Sequence, residues 1–87
     1  MLYIYVSTHC PGCVTARRLA ARLRELRPQL SLHVIDVDRV RDTIPANVIG
    51  TPMYLWESGV LFMGNPDLNE LLKRVDERLA KTQPHSH

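Results

Sequence analysis

The spacing of hydrophobic positions changes repeatedly along this chain, and each change marks an element. Leu2-Tyr3-Ile4-Tyr5-Val6 is an unbroken apolar run, with Tyr3 and Tyr5 on one side and Leu2, Ile4 and Val6 on the other. That pattern predicts a short buried strand. The period then lengthens. Val14, Ala16, Leu19, Ala20, Leu23 and Leu26 recur at helical spacing, with Arg17, Arg18, Arg22, Arg24 and Arg27 between them, and Pro28 stops the run. An amphipathic helix from about Cys10 to about Arg27 follows. Leu30–Val37 reads as a second strand, with β-branched residues toward its end. Asp38 can N-cap a short helix to about Thr43, which Pro45 keeps from running far. Met53–Trp56 and Val60–Met63, joined through Ser58-Gly59, predict a β-hairpin. Asn65-Pro66-Asp67 offers cap, proline and acid in the order a helix start favours, and Leu68, Leu71, Leu72, Val75 and Leu79 supply the apolar stripe behind it.

Length and composition narrow the class without naming a function. With 87 residues, 45% of them hydrophobic, the chain can form one modest core, burying about 60% of its unfolded surface. One domain over residues 1–82 with a disordered tail at 83–87 is expected. No stretch approaches the ~20 apolar residues of a membrane span, and a formal net charge of +2 makes no case for nucleic acid. Met1 leads straight into the apolar run, without the basic region and cleavage site of a signal peptide, so a cytoplasmic location is expected. A monomer is expected as well, since nothing predicts a large exposed apolar patch. The first helix is strongly basic, with five arginines against Glu25. It is either a solvated face or a surface that draws in an acidic substrate or reductase.

The candidate chemistry lies between the first strand and that helix, in His9-Cys10-Pro11-Gly12-Cys13. Cys10 and Cys13 are the only cysteines. Residues three apart on a helix have Cβ atoms about 5–6 Å apart, near enough for a disulfide after a small adjustment. Cys10 falls at the helix N-cap, and Pro11 takes the first helical position, where its missing N–H costs nothing. The unpaired N–H groups and positive dipole end there favour a thiolate on Cys10, and thiols in such settings have pKa values lowered to roughly 3.5–7.5. A strand, Cys-x-x-Cys and a helix in that order read as redox-active. Closing so short a loop constrains the unfolded chain little, which counts against a structural disulfide. Half of a zinc site would need further ligands from His9, His33, His85 or His87.

With Cys10-Pro11-Gly12-Cys13 after the first strand and Gly50-Thr51-Pro52 before the third, the chain resembles the thioredoxin superfamily in its compact, glutaredoxin-like form. The resemblance covers about residues 1–81. It implies an α/β, thioredoxin-like fold ordered β-α-β-α-β-β-α, with a four-stranded mixed sheet flanked by helices. It implies further that the Thr51–Pro52 peptide is cis and sets Thr51 beside the cysteine pair, where its backbone can receive an extended peptide or glutathione. In this family the first cysteine, here Cys10, is the nucleophile, and Cys13 is the buried resolving thiol. Pro11 and Gly12 tune the potential, His9 is a candidate for stabilising the thiolate, and Asp67 is a candidate receiver of the glutathione amino group. No bound cofactor is implied, with glutathione as a co-substrate. Partners would be disulfide-containing proteins or glutathione, with a reductase or glutathione as electron donor.

The chain also departs from the family pattern. Pro-Gly stands between the cysteines where thioredoxins carry Gly-Pro and many glutaredoxins Pro-Tyr. The first strand lacks the thioredoxin acid, His9 replaces a tryptophan, and Ser7 stands near the place of a glutaredoxin lysine. The reading is therefore a disulfide reductase. The alternatives are a glutaredoxin-like carrier of metal or an iron–sulfur cluster, or a redox-sensing binding module without catalysis.

Overall fold

A computed structural model describes residues 1–40 and 43–82. In chain order they form β1 (Leu2–Val6), α1 (Pro11–Leu26), β2 (Leu32–Asp36), β3 (Met53–Trp56), β4 (Gly59–Met63) and α2 (Leu68–Thr82). The sheet runs β2-β1-β3-β4. β1 pairs with β2 in parallel, Leu2 opposite Leu32, and with β3 antiparallel, Leu2 opposite Trp56. The β3–β4 hairpin shifts register between Tyr54 and Leu55. Parallel β1 and β2 require a crossover, and α1 supplies it.

β1 is the central strand, and its two sides do different work. Leu2, Ile4 and Val6 are fully buried against Ala16, Ala20 and Leu23 of α1 and Leu71 and Val75 of α2. Tyr5 faces the other way and packs with Met53 and Leu55, with Tyr3, Ile35, Val37 and Val48 around them. Both described helices therefore cover one face of the sheet. Burial on both sides explains why β1 carries no polar residue.

Several boundaries differ from the expected ones. β2 is shorter than Leu30–Val37, because Leu30 turns back to bond Arg27 O before the strand begins. Asp38 does not cap a helix: residues 37–39 form a turn in which the Asp38 N–H donates to Asp36 Oδ1 at 2.9 Å. The rest of that expected helix runs through residues 41 and 42, outside the described residues, as do residues 83–87 of the expected tail. The hairpin turns at Glu57-Ser58, one residue earlier than expected, with Glu57 at φ +54° and Gly59 already in the strand. The Glu57 N–H donates to Met1 O, and the Glu57 carboxylate receives the Met1 ammonium at 3.2 Å. Val14, placed by periodicity in the apolar stripe of α1, is 55% exposed, and Cys13 occupies the stripe instead, in step with Ala16, Ala20 and Leu23.

Arg27 leaves the basic face of α1. It follows the helix as its C-cap and forms a two-pronged bond with Asp76 of α2, at 2.7 and 2.8 Å. The hydrogen bond from Arg27, aided by its charge, holds the Asp76 carboxyl below the usual range. A carboxyl lowered in the folded state stabilises above its unfolded pKa, and that contribution is lost as pH falls through the folded value. Asp76→Asn should therefore lower the urea midpoint at pH 7, and the difference from the wild type should close below about pH 3. Urea unfolding followed by circular dichroism at both pH values checks this; a gap that persists in acid would contradict it.

Candidate functional site around Cys10 and Cys13

Cys10 is the N-cap residue of α1, with extended backbone (φ −111°, ψ 112°), and Pro11 opens the helix. Most N-caps spend a side-chain oxygen on the first N–H groups. Cys10 makes no such bond, so no side-chain oxygen competes with its sulfur for the positive end of α1. The Cys13 N–H donates to Cys10 O at 3.0 Å, closing the first turn and bringing the two Cα atoms to 5.2 Å. The sulfurs are joined as a disulfide. They are not equivalent: Cys10 is half-buried, whereas Cys13 is 2% exposed within the core stripe of α1.

The loop that delivers Cys10 is held from three directions. The Ser7 N–H points at Cys13 Sγ at 3.3 Å, and the Ser7 and Thr51 hydroxyls share a hydrogen bond at 3.0 Å. The Thr8 N–H donates to Asp38 Oδ2 at 2.9 Å. This is where Asp38 spends its carboxylate: it ties the end of β2 to the loop after β1.

Opposite the pair lies the Thr51–Pro52 peptide, which is cis. Thr51 O stands 3.6 Å from Cys10 Sγ. The Pro52 carbonyl is occupied, accepting from the Gly64 N–H at 2.9 Å. Gly64 sits at φ +85°, a conformation that glycine adopts without the cost of a Cβ. A Cβ at Gly12 would lie 3.4 Å from Pro52 Cδ and 3.4 Å from Asn65 Nδ2, so α1 approaches both closely at this point. Asn65 Nδ2 donates to Gly12 O at 2.8 Å, and Asn65 Oδ1 accepts from the buried Tyr54 hydroxyl at 2.8 Å. A groove of about 540 Å³ runs from Thr51 past Val48, Pro45 and Val37.

Six of the residues singled out from the sequence thus meet: Cys10, Pro11, Gly12, Cys13, Thr51 and Pro52. His9 lies beside them, exposed, its ring making no hydrogen bond or ion pair among the described residues. Asp67 is engaged elsewhere. It is the residue before α2, and its Oδ1 accepts the Glu70 N–H at 2.8 Å, so it does the capping expected of Asn65. Hydrogen bonding to Asp67, with the repulsion of its charge, pushes the Glu70 carboxyl up. Sequence reasoning missed Asp38, Tyr54 and Asn65 as parts of the site, and nothing in their local pattern marks them. Among the described residues, no group of three or more His, Cys, Asp or Glu side chains gathers to hold a metal ion.

No protein-family model matches the chain, and no curated protein does. Among solved structures, that of reduced Escherichia coli glutaredoxin aligns over 91% of this chain and 96% of its own, with a TM-score of 0.52 and 20% sequence identity. This chain has a thioredoxin-like fold. Within it the mixed sheet, the two helices and the strand–Cys-x-x-Cys–helix order lie as the sequence led us to expect. The thioredoxin-like frame brings two distant segments to one point, the N-terminus of α1 and the bend before β3. At this level of identity the likeness is one of fold.

Gly12 gives this geometry a direct check. It is helical, and a methyl group there would meet its neighbours at ordinary contact distance. Gly12→Ala should stabilise the oxidised protein by about 0.5–1 kcal/mol, raising the thermal midpoint by roughly 2–8 °C. A fall in the midpoint by calorimetry would mean that Pro52 and α1 are closer than described.

Proposed function

We propose that this chain is a thiol–disulfide oxidoreductase in which Cys10 attacks and Cys13 resolves. The observation that carries the reading is the asymmetry of the pair: a half-buried sulfur at a helix N-terminus, beside the Thr51 carbonyl, bonded to a sulfur sealed in the core. In the reduced protein the Cys10 thiolate attacks one sulfur of a substrate disulfide. A new S–S bond forms to Cys10, the substrate bond breaks, and one substrate thiolate departs and takes up a proton. The Cys13 thiolate then attacks Cys10 Sγ and expels the second substrate thiolate. Two electrons have passed to the substrate, and the Cys10–Cys13 disulfide remains. An external dithiol or two molecules of glutathione return the pair to its reduced form. The Ser7 N–H, directed at Cys13 Sγ, supports negative charge on the resolving sulfur.

The surroundings favour a protein as substrate. Ile49, Met63 and Val14 are 76%, 65% and 55% exposed, the most open of the large hydrophobic side chains. Each adjoins the site in sequence: Ile49 precedes Gly50-Thr51, Met63 precedes Gly64, and Val14 follows Cys13. Apolar side chains left in water around a reactive bond fit a partner that brings apolar surface of its own. Glutathione, a small molecule with two carboxylates, has less use for them.

With dithiothreitol as electron donor, wild-type protein should speed reduction of a protein disulfide, and Cys10→Ser should fall to the uncatalysed rate. Cys13→Ser, reduced and then freed of dithiothreitol, should still attack and should accumulate a covalent adduct on non-reducing gels. Equal rates for wild type and Cys10→Ser would sink the assignment. Ile49→Ser combined with Met63→Ser should reduce kcat/KM for the protein disulfide by about five- to tenfold. The same pair should leave reduction of a small aromatic disulfide unchanged; a parallel loss on both substrates would count against the apolar rim.

A further inference from the structure

The hydrogen-bonded chain Tyr54–Asn65–Gly12 lies beside the cysteine pair and has no part in the steps above. It is not explained by helix capping, since Asp67 performs that task. Nor is it ordinary surface bonding, since it links the buried strand β3, the loop after β4 and the first turn of α1. We propose that Asn65 is a positioning residue for Cys10: its amide polarises the Gly12–Cys13 peptide and braces the first turn of α1, whose positive end lies beside the opened Cys10 sulfur and favours it as a thiolate. The inference rests on the reading of Cys10 as the attacking sulfur and adds the means by which that sulfur is kept charged.

The argument follows the atoms. Gly12 O and the Cys13 N–H belong to one peptide group. A donor on the oxygen shifts electron density along the conjugated O–C–N unit and leaves the N–H more positive. Asn65 Nδ2 is such a donor, at 2.8 Å. The Cys13 N–H in turn lies at the start of α1, where it reaches the Cys10 carbonyl at 3.0 Å. When the disulfide opens, the Cys10 thiolate becomes the negative charge next to these first-turn donors. Tyr54 fixes which way the amide points. Its ring is fully buried, and burial pushes its phenol far above the usual range, so it remains a neutral O–H donor. That donor takes Asn65 Oδ1 and leaves Nδ2 to face Gly12. The approach is close at Gly12, where even a Cβ would lie 3.4 Å from Asn65 Nδ2.

The test is the pH profile of Cys10 alkylation by iodoacetamide in the reduced full-length protein, with the modified residue identified by mass spectrometry. Asn65→Ala should move the titration midpoint of Cys10 upward, so that alkylation at pH 6 slows by about three- to tenfold. Asn65→Asp, which keeps an acceptor for Tyr54 but cannot donate when ionised, should shift the same way and keeps the protein measurable if the alanine variant folds poorly. The alanine variant carries no charge, so a shift common to both reports the lost donor. Tyr54→Phe, leaving the amide unoriented, should give a smaller shift in the same direction. A purely structural role would scale the rate at every pH and leave the midpoint in place; that result in both Asn65 variants would overturn the proposal. Disulfide reduction by the wild type is read alongside. An active wild type with an unmoved midpoint defeats this inference alone, whereas an inactive wild type with a moved midpoint defeats the oxidoreductase reading alone.

Discussion

A helix has a single N-terminus, and here two sulfurs must share it while living in different solvents. That division depends on how α1 is seated on β1. Ala16 and Ala20 are small, so the helix can lie close against Leu2, Ile4 and Val6, and this seating rolls Cys13 inward. Cys10, three residues earlier, then stands at the open end. Rotating α1 by one residue, about 100°, would bring Val14 inward in place of Cys13 and erase the inequality between the two sulfurs. The inequality of the two sulfurs is thus set by packing before any polar group contributes.

Polar groups supply the alignment that packing leaves open. The segment from Ser7 to Gly12 is fastened to the end of β2 through Asp38, to the bend before β3 through Thr51, and to the loop after β4 through Asn65. Each of these bonds joins residues distant in sequence, so the position of Cys10 relative to Thr51 reports on the whole fold. The bond from Gly64 to Pro52 fixes the far wall in the same manner. A single such bond contributes only about 0.5–1.5 kcal/mol, but together they hold the loop in one register.

The sequence made some of this plain and left some of it unreadable. β1 and β3 appear in the structure with their expected bounds, because uninterrupted apolar runs flanked by turn residues admit few other readings. The cysteine spacing showed that the two sulfurs would meet, since local geometry alone brings residues three apart together. Val14 was misplaced because it is apolar and sits near a helical stripe, yet Cys13 fits the stripe better and displaces it. Asp38 and Asn65 were each read as helix caps, which is what short polar residues before a helical pattern usually are. Both instead reach across the structure, to Thr8 and Gly12. Contacts of that kind depend on where remote segments end up, and no local pattern records it.

The sheet is clothed unequally. α1 and α2 both lie over Leu2, Ile4 and Val6, while Tyr5, Met53 and Leu55 are met from outside their own strands by Val37 and Val48. The stretch from Thr43 to Ile49 carries no α-helix or strand, and lengthening such a connection costs little entropy, since closure depends only logarithmically on length. The cysteine pair belongs to the opposite layer, at the start of α1. The sheet therefore tolerates insertions before Val48, but any that displaced Val48 or Thr51 would reshape the groove that ends beside the cysteine pair.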